Sequence, residues 1–168
     1  MKKIYLAIVL IGIISITRGQ GNVVMGKSQL NLGLGFSDWG TPLYVGIDYG
    51  VSRSVTVGGE LSFRSYNEDW DHSYYRRSIT GISGNANYHF NTVLEIPRDF
   101  DFYAGLNLGF YLWSTAANGY QGSNSSGLDL GAQVGGRYFF THKFGINLEF
   151  GGGNAFSGGK VGITLKLN

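Results

Sequence analysis

The chain has 168 residues, a formal net charge of +2 at pH 7 and no cysteine. This length fits one domain, the weak charge gives no support for nucleic acid binding, and the lack of thiols excludes disulfides and thiolate metal sites. The 28 glycines argue against a helical protein, because each glycine in a helix costs about 1 kcal/mol relative to alanine. A narrow closed β-barrel uses glycine where its inner wall must leave room for large neighbouring side chains.

Residues 1–19 have the features of a secretory signal peptide. Two lysines precede an apolar run over residues 4–16, and this run is shorter than the roughly 20 residues of a membrane-spanning helix. Gly19 supplies a small residue for cleavage. We therefore expect export and a mature domain of residues 20–168; an uncleaved anchor helix is the alternative.

The rest of the chain alternates apolar with polar or small residues in eight segments. A period of two is typical of a β-strand, whose successive side chains point to opposite faces. The alternation predicts strands over 27–36, 42–51, 55–66, 78–90, 100–113, 128–140, 144–153 and 159–167. Tight turns precede the third and seventh strands, and longer polar connections over residues 67–77 and 114–127 follow the third and fifth. An even strand number permits closure with both termini on one side.

The fifth segment shows the pattern most clearly. Its even-numbered positions from Phe100 to Leu112 are wholly apolar, whereas the odd-numbered positions, such as Asp101 and Asn107, are polar, small or amphipathic. It exceeds the about 5–6 residues of a soluble strand and satisfies the roughly 9–11 of a tilted transmembrane strand. Aromatic residues fall at both ends of the apolar faces, as in the interfacial girdles of membrane barrels. The sequence therefore predicts an all-β, eight-stranded antiparallel up-and-down transmembrane β-barrel, with lipid outside and a small lumen inside.

The signal peptide, the eight strands and motifs such as YAGLNLGFYLW and GLDLGAQVGGRYFF resemble the small outer-membrane β-barrel family. Its members include the OmpA membrane domain and OmpX-like proteins, and the sequence motifs are similar in style to those of the porin-family outer-membrane proteins of Bacteroidetes. The resemblance implies residence in a Gram-negative outer membrane. It specifies no single activity, because members include adhesins, structural proteins and enzymes. The chain departs from the family by ending in Leu167 and Asn168 rather than in the aromatic residue that the insertion machinery often recognises.

Eight charged residues face the predicted lumen, with equal numbers of each sign. Because charges held away from water must pair, we expect a structural salt-bridge network rather than a proton or ion path. Its members are Asp48, Glu60, Arg64, Asp129, Arg137, Glu149, Lys160 and Lys166. Inward aromatic residues, among them Tyr44, Tyr103 and Phe139, are expected to fill the lumen, since eight strands leave room only for side chains.

The connection over residues 67–77 is rich in aromatic and basic side chains, which are typical anchors for binding. We predict that it carries an extracellular binding patch of Trp70, Tyr74, Tyr75, Arg76 and Arg77. Packing of the same side chains at the lipopolysaccharide interface is the alternative. The connection over residues 114–127 is rich in Ser, Gly and Asn and resembles a flexible linker.

Asp71, His72 and Ser73 adjoin in the first of these connections, and some barrel enzymes that modify lipid A use Ser and His near the outer rim. Adjacency in sequence is not triad geometry, so we expect no enzymatic activity, and no histidine spacing suits a metal. No cofactor is expected. The expected partners of a monomer are membrane lipid, lipopolysaccharide and an extracellular protein or glycan. The predicted role is structural or adhesion-like, with a lipid A-modifying enzyme and a small porin-like pore as alternatives.

Overall fold

The computed structural model describes residues 25–37, 40–70, 73–115, 126–154 and 157–167, with the backbone alone at 67–70, 73–76 and 115. The strands are β1 Ser28–Ser37, β2 Leu43–Gly50, β3 Val55–Trp70, β4 Ser73–His89, β5 Phe100–Thr115, β6 Gly127–Phe139, β7 Phe144–Gly153 and β8 Ser157–Leu167. Within the described ranges, no helix is long and apolar enough to cross a membrane. The predicted signal peptide, residues 1–19, lies outside the described residues, as do Asp71 and His72.

The sheet closes on itself. Each strand pairs antiparallel with the next, and β1 also pairs with β8. This seam runs from Ser28 opposite Leu167 to Ser37 opposite Gly158. Closure removes the edge strands, so the backbone polar groups of the ring bond within the sheet, as a membrane requires. The predicted eight-stranded antiparallel barrel is confirmed.

The two ends of the barrel carry different connections. At one end, called the turn end, residues 51–54, 90–99 and 140–143 join β2 to β3, β4 to β5 and β6 to β7. The start of β1 and the end of β8 lie at this end too. The connections after β1, β3, β5 and β7 lie at the other end, called the loop end.

The prediction of a loop over residues 67–77 is wrong for the segments whose backbone is described, 67–70 and 73–77. β3 and β4 remain paired from Tyr66 opposite Arg77 to Trp70 opposite Ser73. β3 therefore has 16 residues and β4 has 17, whereas β2 has 8. Local composition carries no strand signal here, because backbone pairing in a hairpin without a lipid-facing side needs no alternating apolar row. The paired segments 66–70 and 73–77 are called the ribbon below.

Side-chain exposure follows the predicted alternation. Leu106 and Leu108 are 63% and 57% exposed, whereas Asp101 and Tyr103 are 0% and 3% exposed. Among the described residues, 14 buried side chains are polar or charged and only four are hydrophobic. This arrangement is the reverse of a soluble domain, because the apolar face is turned toward lipid.

Glycines on the inner wall make room for the large lumen side chains. A Cβ atom at Gly135 would collide with the ring of Tyr103, and one at Gly162 would lie 2.6 Å from the Tyr44 hydroxyl. The lumen of an eight-stranded barrel is so narrow that a large side chain on one strand requires a small residue opposite it.

The orientation of β5 can be tested with two neighbouring residues. We expect Leu106→Arg to destabilise the folded barrel by about 2–4 kcal/mol, because it places a cation in the lipid-facing row near mid-strand. Asn107→Ser, in the lumen, removes the 3.1 Å hydrogen bond from Asn107 Nδ2 to Gln133 Oε1 and should cost about 1 kcal/mol. Urea unfolding in lipid vesicles measures both values, and equal losses would contradict the assigned faces.

Candidate functional site

Arg137 lies at the centre of a buried charge cluster in the turn-end half of the lumen. Its Nη2 donates to Asp48 Oδ2 over 2.7 Å, and its Nη1 donates to Asp101 Oδ2 over 3.0 Å. Its guanidinium also lies 4.2 Å from the ring centroid of Tyr103. Asn31 donates a 2.9 Å hydrogen bond to Asp48. Buried charges of this kind are tolerated only when they are paired and hydrogen-bonded, and the cluster meets both conditions.

Thr56, His89 and Asp101 form a line of hydrogen bonds beside this cluster. His89 Nδ1 lies 2.7 Å from Asp101 Oδ1, and His89 Nε2 lies 3.0 Å from Thr56 Oγ1. Hydroxyl, imidazole and carboxylate follow one another as in a catalytic triad. All three side chains are at most 1% exposed, so a dissolved substrate does not reach the Thr56 hydroxyl in this structure. The line instead fixes the imidazole as part of the lumen packing.

Lys160 forms a second cluster in the loop-end half. Its Nζ lies 2.7 Å from Glu60 Oε2 and 2.8 Å from Glu149 Oε1. The Tyr103 hydroxyl donates to the other oxygen of Glu149 over 2.8 Å. Because Tyr103 also covers Arg137, it connects the two clusters into one polar column through the barrel.

The remaining members of the predicted network are placed differently. Arg64 Nη1 donates to Ser37 Oγ over 2.9 Å at the loop end, and Asp129 is buried on the same side of the lumen. Lys166 points inward, but its Nζ lies 3.9 Å from the ring centroid of Phe139 and makes no hydrogen bond within the described chain.

The predicted network omits Asp101 and His89, although the structure places Asp101 against Arg137 and His89 against Asp101. The alternation of β5 was the available signal, since it already placed Asp101 on the inner face. The pattern could not predict the partner of each charge, because the pairing depends on how distant strands meet across the lumen.

The lumen is nearly filled. A cavity of about 100 Å³ opens at the loop end among Glu60, Arg64, Asp129 and Lys160. A second space of about 20 Å³ lies deeper, between the two clusters. One water requires roughly 10–15 Å³ on this measure of volume, so both spaces are large enough to admit water. No three His, Asp or Glu side chains of the described ranges are placed to hold a metal ion.

The structure separates Arg77 from the other four residues of the predicted binding patch. Arg77 is only 2% exposed, and its guanidinium lies 5.1 Å from the ring centroid of Trp113. The prediction of an exposed Arg77 is therefore wrong, because the register of the ribbon turns this position into the barrel. The other four residues lie in the ribbon, and their side chains are outside the described residues: Trp70, Tyr74, Tyr75 and Arg76.

Known structures share this architecture. The outer-membrane protein OprG of Pseudomonas aeruginosa is 11% identical with a TM-score of 0.67, over 90% of this chain and 99% of that one. Ail of Yersinia pestis, crystallised with the heparin analogue sucrose octasulfate, is 14% identical with a TM-score of 0.55, over 86% and 100%. A de novo designed transmembrane β-barrel is 17% identical with a TM-score of 0.55, over 86% and 98%.

These likenesses establish the fold. At such low identity, the chain shares the architecture of small eight-stranded outer-membrane β-barrels, and the predicted resemblance is confirmed at that level. No family model and no curated protein sequence matches the chain.

The charge cluster gives a direct stability test. We expect Arg137→Met to destabilise the barrel by about 3–5 kcal/mol, because Asp48 and Asp101 would remain buried without their shared cation. Arg53→Met, in the exposed turn between β2 and β3, is the control and should change little. Urea unfolding in vesicles gives both values. Equal unfolding midpoints for the two variants would show that the charge cluster does not stabilise the folded barrel.

Proposed function

We propose that the protein is an outer-membrane scaffold that holds the ribbon above the cell surface for contact with an extracellular partner. The observation that carries this proposal is the continued pairing of β3 with β4 as far as Trp70 and Ser73. Membrane barrels usually place short turns in the periplasm and longer projections outside. The turn end would therefore face the periplasm and the loop end the exterior.

The ribbon has the length to project beyond the headgroups. Phe63 is the last outward-facing aromatic residue of β3 before the ribbon and is 52% exposed, and Trp70 follows seven residues later. At about 3.3 Å per residue and a strand tilt of roughly 40°, the end of β3 lies about 18 Å further out. A projection of this height suits contact with a molecule outside the membrane.

The composition of the ribbon suits binding. Trp70, Tyr74 and Tyr75 offer large contact area with few rotatable bonds to immobilise, and Arg76 adds a cation. Backbone pairing reduces the entropy that is lost when the segment binds. The barrel wall faces lipid and the lumen is nearly filled, so the ends are the surfaces open to a soluble partner.

A glycan is the first partner class to test. Ail, a structural neighbour, has been crystallised with a heparin analogue, and aromatic and arginine side chains are common anchors in interfaces. A binding role is consistent with the burial of the triad-like line of Thr56, His89 and Asp101, which keeps that line away from a dissolved substrate. A monomer is sufficient for this role.

The experiment compares cells that display matched variants. Replacing Trp70, Tyr74, Tyr75 and Arg76 together with Ser should reduce binding to immobilised heparin and to lipopolysaccharide micelles to background. Arg77 is retained, because its burial makes it part of the barrel. Deletion of residues 116–125, in the other long connection, is the control and should leave binding intact, since loop closure depends only weakly on length.

Equal surface amounts are confirmed by the different gel mobilities of boiled and unboiled samples. If the four-residue variant binds as the parent does and the deletion variant does not bind, the contact surface lies in the connection over residues 114–127. Parental binding by both variants would leave a structural barrel without a loop-borne partner.

A further inference from the structure

An apolar groove of about 800 Å³ lies on the lipid-facing wall near the turn end, across β5, β6 and β7. Gly136 forms its floor and has Phe102 and Leu148 as its cross-strand neighbours. Ala104, one row further along β5, is also small. Because the neighbouring outward positions carry large side chains, the two small residues leave a depression in the wall.

Aromatic rings border the groove toward the turn end. The centroids of Phe100 and Tyr138 are 4.9 Å apart, and those of Phe100 and Phe102 are 6.2 Å apart in a stacked arrangement. Rings of this kind mark the level of the lipid glycerol and headgroups in membrane barrels. The groove therefore extends from the headgroup level into the hydrocarbon region.

The long connection between β4 and β5 adjoins this border. Phe90, its first residue, lines the groove, and the Asn91 side chain bonds the backbone of Phe100 and Phe102. Val93 and Leu94 are each 64% exposed, in a turn closed by a 2.9 Å bond from Leu94 N to Phe90 O. Two exposed apolar side chains beyond the strand end are favoured at a membrane surface, where they can enter the interfacial region.

Exposed cations lie at the ends of the strands that flank the groove. Arg98 precedes β5 by two residues, and Lys143 immediately precedes β7. The same connections contain Glu95 and Asp99, so the local formal charge is balanced. A ligand with a zwitterionic group, or with a phosphate that both cations approach, therefore complements this rim better than a purely apolar ligand does.

We propose that the groove binds one phospholipid of the leaflet at the turn end. One acyl chain lies over Gly136 and Ala104 between the aromatic walls, and the phosphate lies against Arg98 and Lys143. The groove faces the bilayer and its walls are apolar, so hydrocarbon rather than water fills it. This inference rests on membrane insertion, which is part of the proposed function, and is independent of any binding by the ribbon.

Native mass spectrometry of the folded, full-length barrel released from lipid nanodiscs tests the proposal. The probes are phosphatidylglycerol and diacylglycerol with identical acyl chains. The parent should retain one phosphatidylglycerol, and Gly136→Leu should lose it, because the new side chain fills the groove. A Cβ at Gly136 lies 3.0 Å from Phe102 Cε1, a ring that can move. Ala104→Leu is the second filling variant.

Gly59→Leu is the matched control, since Gly59 faces lipid on β3 and an added Cβ lies 3.7 Å from its nearest neighbour, Ser83 O. This variant should retain the lipid. Arg98→Gln with Lys143→Gln should reduce the preference for phosphatidylglycerol over diacylglycerol by about fivefold for each cation removed. Arg53→Gln, in the turn between β2 and β3, should not change the preference.

Three results would overturn the proposal. Equal retention by the parent, Gly136→Leu and Ala104→Leu would show that the groove holds no particular lipid. Equal loss in Gly59→Leu would mean that any added side chain disturbs the annulus. Release of a dimer that Gly136→Leu disrupts would assign the groove to a second copy of the chain. Gel mobility confirms folding of every variant, so failure of the barrel to insert is distinguished from failure of the site.

Discussion

Pairing between β1 and β8 closes the sheet, and this closure determines what the rest of the sequence can do. A ring of eight strands satisfies the backbone without an edge, but it leaves an interior only as wide as its side chains. Charges that point inward are therefore removed from bulk water. The Arg137 and Lys160 clusters follow from this constraint, because each cation bonds two carboxylates.

The same constraint separates the surfaces of the molecule by chemistry. The wall carries hydrocarbon-compatible side chains, the lumen carries polar groups most of which are hydrogen-bonded or paired, and the two ends carry connections of other composition. At the loop end the ribbon projects as a paired hairpin. At the turn end a glycine and an alanine interrupt the apolar wall beside an unusually long connection. Specific recognition is therefore expected where the repeating pattern of the barrel is broken, in water at one end and in lipid at the other.

Strand positions could be predicted because lipid imposes an apolar row on every strand, as at Leu106 and Leu108. Where lipid is absent the rule gives no signal, so the strand pairing of the ribbon could not be predicted. The inward direction of Arg77 depends on a pairing register that local composition does not reveal. The alternation predicts which charged side chains point inward, but it does not predict which of them pair. Arg137 and Asp48 are 89 residues apart in the chain, and Lys166 contacts a ring instead of a carboxylate.

The proposed binding role at the ends of the barrel depends on a lumen that is too well filled to conduct. Single-channel recording of the purified, folded protein in planar bilayers tests it most directly. The buried side chains of Tyr103, Arg137 and Phe139 fill the lumen, and we therefore expect a bilayer that stays electrically silent, without stable conductance steps. Reproducible steps of constant size from pure protein, absent from a heat-unfolded sample, would contradict the account and favour a small pore.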